Sequence, residues 1–394
     1  MAAPIQNKHV SETSSLMERD REKAWSEERS HASQLAQHDK TKGRHGCFWL
    51  GTNQNPGDSS DDSRDISRGF FYLVPCLHLV DKYRQENNRT EVTEFLLLGF
   101  QVSRGLRLFL FCLFLVVYYL IICGNLLIIT LVSTSKNLHT PMYFFISHLS
   151  ICDILLSTVI VPNLFYILLN NGGTMTFIGC ITQFYFFCAS EGFECLLLAV
   201  MSYDRYVAIC NPLRYSSIMT SGHCVILTVI SWLFGSFSVL IYTIITAKLD
   251  FCGSNIIDHF FCDLVPLLEL SCSETFNVHL VMYLLSIPVV FIPSTIIVVS
   301  YTYIVLTILR IPSNTGRQKA FSTCSSHLIV VSIFYGTLLS VYMVPTKGRT
   351  LTMSKILSLL YTVFTPLANP IIYSLRNKDI RKAVQETLHK RLIW

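Results

Sequence analysis

The chain has 394 residues, 51% of them hydrophobic and only 14% charged, where soluble domains carry about 25% charged residues. So much apolar side chain, including 26 Phe and 18 Tyr, cannot be hidden in one water-soluble core, which makes the bilayer the solvent and excludes whole-chain disorder, a collagen-like fibre and a disulfide-rich secreted scaffold. The net charge of +5 is small for this length and supports no nucleic-acid role.

Residues 1–89 hold 13 of the 31 basic and 13 of the 26 acidic residues, so a polar head precedes an apolar body. Residues 1–68 are rich in Ser, Asp, Glu, Lys, Arg and Gln without helical or strand periodicity, and disorder is predicted there. Residues 69–80, broken by Pro75, are apolar but too short to span a bilayer. They lie behind an acidic stretch and lack the small-residue cleavage site of a signal peptide. Residues 1–87 are therefore expected to be an atypical, disordered N-terminal extension, and residues 88–394 the functional domain. Asn88-Arg89-Thr90 is an N-glycosylation sequon at that boundary.

Seven long apolar segments follow: Leu108–Val132, Met142–Leu169, Cys180 to about Tyr203, Val225–Ala247, Leu280–Leu309, Ala320–Thr346 and Ile356–Leu375. Each meets or exceeds the roughly 20 residues that cross about 30 Å of hydrocarbon. The period-2 alternation of barrel strands is absent, so the backbone can be satisfied only as helices. The expected fold is all-α: a seven-transmembrane helix bundle. Ile380, Val384, Leu388 and Leu392 recur every four residues among basic positions and predict a short amphipathic C-terminal helix on the membrane surface. With the N-terminus outside, twelve Lys and Arg fall in the inner loops and tail and four in the outer loops. That asymmetry predicts a multi-pass plasma-membrane protein with a cytoplasmic C-terminus.

Cys180, at the outer end of span 3, and Cys252, Cys262 and Cys272, in the outer loop between spans 4 and 5, face an oxidising compartment. Four cysteines suggest two disulfides, and three pairings are open.

Ionisable residues inside spans mark function by default. Asp153 lies eleven residues from Met142 at the inner end of its span, and Glu194 eleven residues from Arg205 at the inner face, each about 16 Å at helical rise. They are expected to share a proton or ion site with Asn125 and Asn369, sodium being the candidate metal. Glu191 lies one turn above Glu194, level with Tyr335. A small-molecule cavity is expected around Phe184, Phe187, Cys188, Glu191, Gly192, Ser286, Tyr335, Leu338, Leu339 and Tyr342. An ionised Glu191 would favour amines; a protonated one would donate to an alcohol, aldehyde or ketone. The latter is preferred because no basic residue in the spans balances it. Pro288 and Pro293 in span 5, and Pro366 and Pro370 in span 7, predict kinks that suit a moving bundle.

Several stretches carry a specific resemblance. They are Leu138-His-Thr-Pro-Met-Tyr-Phe-Phe145, Met201-Ser-Tyr-Asp-Arg-Tyr-Val-Ala-Ile-Cys-Asn-Pro-Leu213, Ser300-Tyr301, Lys319-Ala-Phe-Ser-Thr-Cys-Ser-Ser-His327, Phe334-Tyr335-Gly336 and Asn369-Pro-Ile-Ile-Tyr-Ser-Leu-Arg-Asn377. Over about residues 88–390 the chain resembles a rhodopsin-like G-protein-coupled receptor of the olfactory (odorant) type. The resemblance implies an odorant ligand, a stimulatory (olfactory-type) heterotrimeric G protein, a rise in cyclic AMP and no cofactor. It implies disulfides Cys180–Cys262 and Cys252–Cys272. Asp204 and Arg205 look like the lock that opens when the G protein docks, with Tyr206, Tyr301, Lys319, Asn369, Pro370 and Tyr373 in the same machinery. Asp153 and Glu194 match the family's buried acidic pair, and Tyr335 its switch under the odorant. The chain departs from the pattern at His148, where Asn is usual, and at Glu191, where an uncharged residue is usual.

No internal repeat suggests a transporter, and no H-E-x-x-H, G-x-S-x-G or Walker pattern suggests an enzyme. The alternative reading is the same scaffold serving a non-odorant small metabolite in a non-olfactory tissue.

Overall fold

The computed structural model describes residues 92–251, 254–342, 351–376 and 378–392. The head, the boundary near residue 88, Asn88 and Cys252 lie outside the described residues.

Seven long helical segments make up the bundle. They are α1 Arg104–Thr134, α2 Pro141–Asn170, α3 Phe177–Cys210, α4 Ser221–Ala247, α5 Phe276–Arg310 and α6 Asn314–Tyr342, with α7 running through Leu351–Leu359, Leu360–Phe364 and Thr365–Arg376. Among the described residues six of these are long and apolar enough to cross a membrane. The remaining one, α6, opens with the polar residues of Asn314–Thr323, so its apolar part is only Cys324–Ser340. A further helix, α8 Lys378–Leu392, follows α7.

α3 is the most buried span and packs against α2, α4 and α5. Thr176 starts it, its hydroxyl accepting from the Gly179 amide at 3.1 Å, which satisfies one of the otherwise orphaned first-turn amides. α1 and α5 turn most of their side chains outward, including Phe109, Tyr119, Tyr283 and Val298. That is the expected arrangement where lipid is the solvent.

The expected kinks in α5 and α7 take the form of π turns. Ile287–Phe291 in α5 contains Pro288, and Pro293 follows in the first turn of the next segment. In α7 the turn is Leu360–Phe364, just before Pro366. A proline lacks the amide that an α-turn needs, and a wider turn accommodates the loss.

A small sheet, not anticipated from the sequence, closes one end of the bundle. Strand β1 (Glu94–Leu97) lies between β2 (Gly173–Thr176), which it meets antiparallel, and β3 (Ile256–Ile257), which it meets parallel. Phe95 and Leu97 point inward and are fully buried, Phe95 against Phe177 and Phe251 at 6.1 and 5.5 Å. Gly99 then turns the chain toward α1 at φ +62°, where a Cβ would sit 2.2 Å from Ile167. Only glycine fits both the left-handed backbone and the close approach. This end is called the cap; the opposite end carries Asp204-Arg205-Tyr206.

α8 does more than lie on a surface. Ile380 and Ala383 are buried, and Val384 packs against the main core. Tyr143 at the start of α2 donates to Asp379 at 2.9 Å.

Candidate functional site

The polar residues of the bundle gather at three levels. At mid-depth, Asp153 on α2, Glu194 on α3 and Asn369 on α7 meet, all buried. The Asn369 amide donates to both Asp153 oxygens, at 3.0 and 3.1 Å, and lies 3.5 Å from Glu194 Oε1. The second Glu194 oxygen has no partner. Asn125 stands apart from the acids. Its amide donates to the Ile121 carbonyl at 3.0 Å and to that of Pro366 at 3.3 Å, so it ties α1 to α7. Gly124 beside it permits the approach, since a Cβ there would lie 3.2 Å from Pro370. Among the described residues no group of three or more His, Cys, Asp or Glu is placed to hold a metal ion.

At the end opposite the cap, Arg205 grips its neighbour. Its guanidinium donates to Asp204 Oδ2 through Nε at 2.8 Å and through Nη2. The other Asp204 oxygen accepts from the Tyr215 hydroxyl at 2.9 Å, a residue the sequence had not singled out. Both members of the pair are buried. Burial and the Asp204 carboxylate raise the Tyr215 pKa above the usual phenol value, so it stays a donor. Tyr301 does not bond the arginine; its hydroxyl pairs with His327 Nδ1 on α6 at 2.6 Å. His327 closes the Lys319–His327 motif and is fully buried. Tyr373 is buried with its hydroxyl unpartnered. Pro370 lies inside α7, and the Tyr206 ring lies 5.9 Å from Tyr303. The Lys319 side chain lies outside the description. The arginine is thus held by a carboxylate of its own helix, and neither Tyr301 nor Tyr373 bonds it. A cavity of about 320 Å³ opens nearby between α3 and α5, lined by Tyr203, Tyr206, Val299 and Tyr303 among others. It contains none of the residues expected to meet the ligand.

At the cap end, helical spacing puts Phe187, Cys188, Glu191, Glu194 and Cys195 on one face of α3. Phe187 packs on Phe261 of the α4–α5 loop at 5.1 Å and on Tyr361 of the α7 π turn at 5.7 Å. Phe184 meets Tyr242 of α4 at 5.7 Å. Cys188 touches three separate apolar clusters, which converge around it. Tyr335 reaches across from α6 to donate to the Cys195 carbonyl at 3.3 Å, and Leu338 packs against the core below. Both Glu191 carboxylate oxygens are buried without a partner.

Three expected pocket residues stand elsewhere. Gly192 faces α4 and α5, where a Cβ would lie 3.5 Å from Val289 and 3.7 Å from the Gly235 Cα. It serves helix packing and does not leave the room for a ligand that its size suggested. Ser286 donates to the Tyr283 carbonyl of its own helix, and Leu339 is half exposed. The Tyr342 side chain lies outside the description.

The loop over this level is pinned. Cys180 and Cys262 form a disulfide, and the Cys262 amide donates to Gln183 Oε1 at 3.0 Å. Cys272 is disulfide-bonded, its expected partner Cys252 being outside the described residues. Lys355 at the start of α7 donates to the Gly99 carbonyl at 2.7 Å and to Asp258 at 2.5 Å, tying the segment before α1, the loop and α7 together. His259 is buried against Phe260 and Phe261; burial and then the Lys355 ammonium push its pKa down to about 3, so it stays neutral.

The pinning carries Asp263, the residue after the bridged Cys262, into the bundle. It caps the short helix Leu264–Leu270 by accepting from the Leu264 amide at 2.7 Å, and lies beside the Tyr361 hydroxyl. Burial pushes its pKa up to about 6. Asp263 acts through space on Glu191. The sequence reading missed it; adjacency to a bridged cysteine was the available signal.

A family model described as "Olfactory receptor" matches residues 111–391. Olfactory receptor 11L1 of Homo sapiens is 46% identical over 312 residues, covering 79% of this chain and 97% of that protein. Olfactory receptor 1468 of Rattus norvegicus is 44% identical over 308 residues, 78% and 98% respectively. Olfactory receptor 5AP2 of Mus musculus is 46% identical over 309 residues, again 78% and 98%. In fold, the chain is similar to the crystal structure of squid rhodopsin, with a TM-score of 0.58 and 19% identity over 74% of this chain and 88% of that one.

Proposed function

The chain belongs to the olfactory receptor family, and from that premise we propose that it binds small odorants at the cap end of the bundle and signals through a stimulatory, olfactory-type G protein that raises cyclic AMP. It is a G-protein-coupled odorant receptor and not an enzyme. The observation that carries the mechanism is the closed lock: Arg205 bonded to Asp204, Asp204 held by Tyr215, and Tyr301 engaged with His327. Opening requires Arg205 to exchange Asp204 for a new acceptor, and Tyr301 to leave His327 as α6 moves. The mid-level triad of Asp153, Glu194 and Asn369 crosses three helices and has no balancing cation among the described residues. A proton or a sodium ion between the carboxylates meets that need and couples ligand level to lock.

In this reading the cap is extracellular, Asn88 is glycosylated, Cys272 is bridged to Cys252, the C-terminus is cytoplasmic, and Lys319 and Tyr206 belong to the face the G protein meets. The distribution of Lys and Arg supports that orientation. The test is Arg205→Ala, assayed for cyclic AMP against an odorant panel alongside surface staining of the N-terminus. Signalling should vanish while surface protein stays. A full agonist response in the variant overturns the role of the lock.

A further inference from the structure

Glu191 poses a problem that the bundle alone does not solve. Both its oxygens are buried and neither has a hydrogen-bond partner. Protonation removes the charge but not the difficulty, because the acid proton then has no acceptor and the carbonyl oxygen still has no donor. No described residue supplies the missing partner, and a ligand can.

The surroundings say which chemistry it has. Glu194, one turn away, and then Asp263, carried in by the bridged loop, act on Glu191 through space, and among the described residues no Lys, Arg or His acts on Glu191 or Asp263. Among the described residues the one buried ammonium at this end, Lys355, is bonded to Gly99 and Asp258. Aromatic rings complete the walls: Phe187 on the face of α3 that carries Glu191, with Phe261 and Tyr361 against it. Tyr242 lies within electrostatic reach of both acids, and its hydroxyl is beside Cys188. Two acids and several ring faces with no resident cation form a receptor for a cation: an ammonium has three N–H donors to divide between carboxylates, and ring faces attract its charge. A carbonyl or alcohol would satisfy one carboxyl and leave the other as it was.

We propose that the ligands of this chain are protonated amines, the ammonium held between Glu191 and Asp263 and the apolar body lying against Phe187, Phe261 and Tyr361. The proposal rests on the cap end being the odorant site, and it reverses the preference for a neutral carbonyl ligand drawn from the sequence, where Asp263 had no visible place. The distinct roles follow from position. Glu191, deep and without other bonds, is the main counter-charge; Asp263, already accepting from Leu264, is the second.

The experiment uses the full chain in two assays with one panel: n-alkyl amines of six to eight carbons and the alcohols, aldehydes and carboxylic acids of the same skeletons. One assay reads cyclic AMP in cells; the other reads thermal stabilisation of purified receptor and needs no G protein. Amines should activate and stabilise, matched alcohols and aldehydes should be about 10-fold weaker or more, and acids silent. Glu191→Gln should raise the amine midpoint about 100-fold and Asp263→Asn about 10-fold in both assays, with surface protein retained. Glu191→Asp should recover part of the loss, which a merely structural role for the site would not produce. Stabilisation by amines without cyclic AMP would fault the proposed coupling and keep the ammonium site. Activation by neutral odorants but not amines would keep the receptor and overturn the ammonium site. Amine midpoints unchanged in Glu191→Gln, or no amine effect in either assay, would also overturn it.

Discussion

Replacing Cys180 by Ser is the perturbation whose cost can be worked from the structure. Cys180 is the fourth residue of α3 and is bridged to Cys262, 82 residues away, both fully buried. In the chain-entropy account, closing a loop of that length in the unfolded state stabilises the native state by about 4.5 kcal/mol. That corresponds to roughly three orders of magnitude in the folded population. Native contacts retain part of the geometry: the Cys262 amide still has Gln183, and β3 still pairs with β1. These bonds hold the loop only when the bundle is folded, so they do not replace the constraint on the unfolded chain. The assay is flow cytometry of an N-terminal epitope together with thermal denaturation of detergent-extracted protein. Cys180→Ser should be retained inside the cell and melt early. Cys180→Ser with Cys262→Ser should behave like the single variant, since the bridge is already lost. Cys112→Ser, at an exposed free thiol on α1, should resemble the parent. Normal surface staining and an unchanged melting curve in Cys180→Ser would refute the reasoning.

Lys355→Met should destabilise by about 2 kcal/mol, because it leaves the Gly99 carbonyl and Asp258 without their ammonium; adding Asp258→Asn should cost little more, and additive losses in that double-mutant cycle would count against the tie. Asp263 gives a pH dependence: its pKa rises from the usual value near 3.8 to about 6 on burial, so the fold favours the protonated form. Its contribution is therefore complete below about pH 4 and is lost as pH rises through about 6, up to about 3 kcal/mol in the unliganded receptor. Melting curves from pH 4 to 7 should show that decline in the parent and not in Asp263→Asn, and parallel profiles would refute it. A chain beginning at Gln85 should reach the surface and signal at least as well as the full chain, and a large loss would assign residues 1–84 a role.

Much of this molecule could be read in one dimension. The seven spans were visible because hydrocarbon imposes both a length and a composition on any helix that crosses it; the observed helices extend most of the expected ends by one to seven residues, and the expected end of span 6 at Thr346 lies outside the described residues. Depth could be counted as well. Asp153 and Glu194 were placed at one level from helical rise alone, and Asn369 does join them. The Cys180–Cys262 bridge followed from a motif resemblance, and the structure contains it.

What the sequence could not show was azimuth and the course of the loops. Helical rise is a property of one helix, but the direction a side chain faces depends on which neighbours pack around it. Gly192 therefore turned out to serve the α3–α4 approach, Asn125 to bond α7 and not the acids, and Ser286 to bond its own helix. The cap sheet joins β1 to strands about 80 and about 160 residues further along the chain, whose four-residue and two-residue patterns are too short to announce themselves. Asp263 reads as an ordinary polar loop residue until the disulfide, Gln183 and Lys355 together draw its loop into the bundle. Local chemistry determined which residues must lie in the membrane and how deep. Only long-range packing decided which of them face one another, and so which charges are left for a ligand to balance.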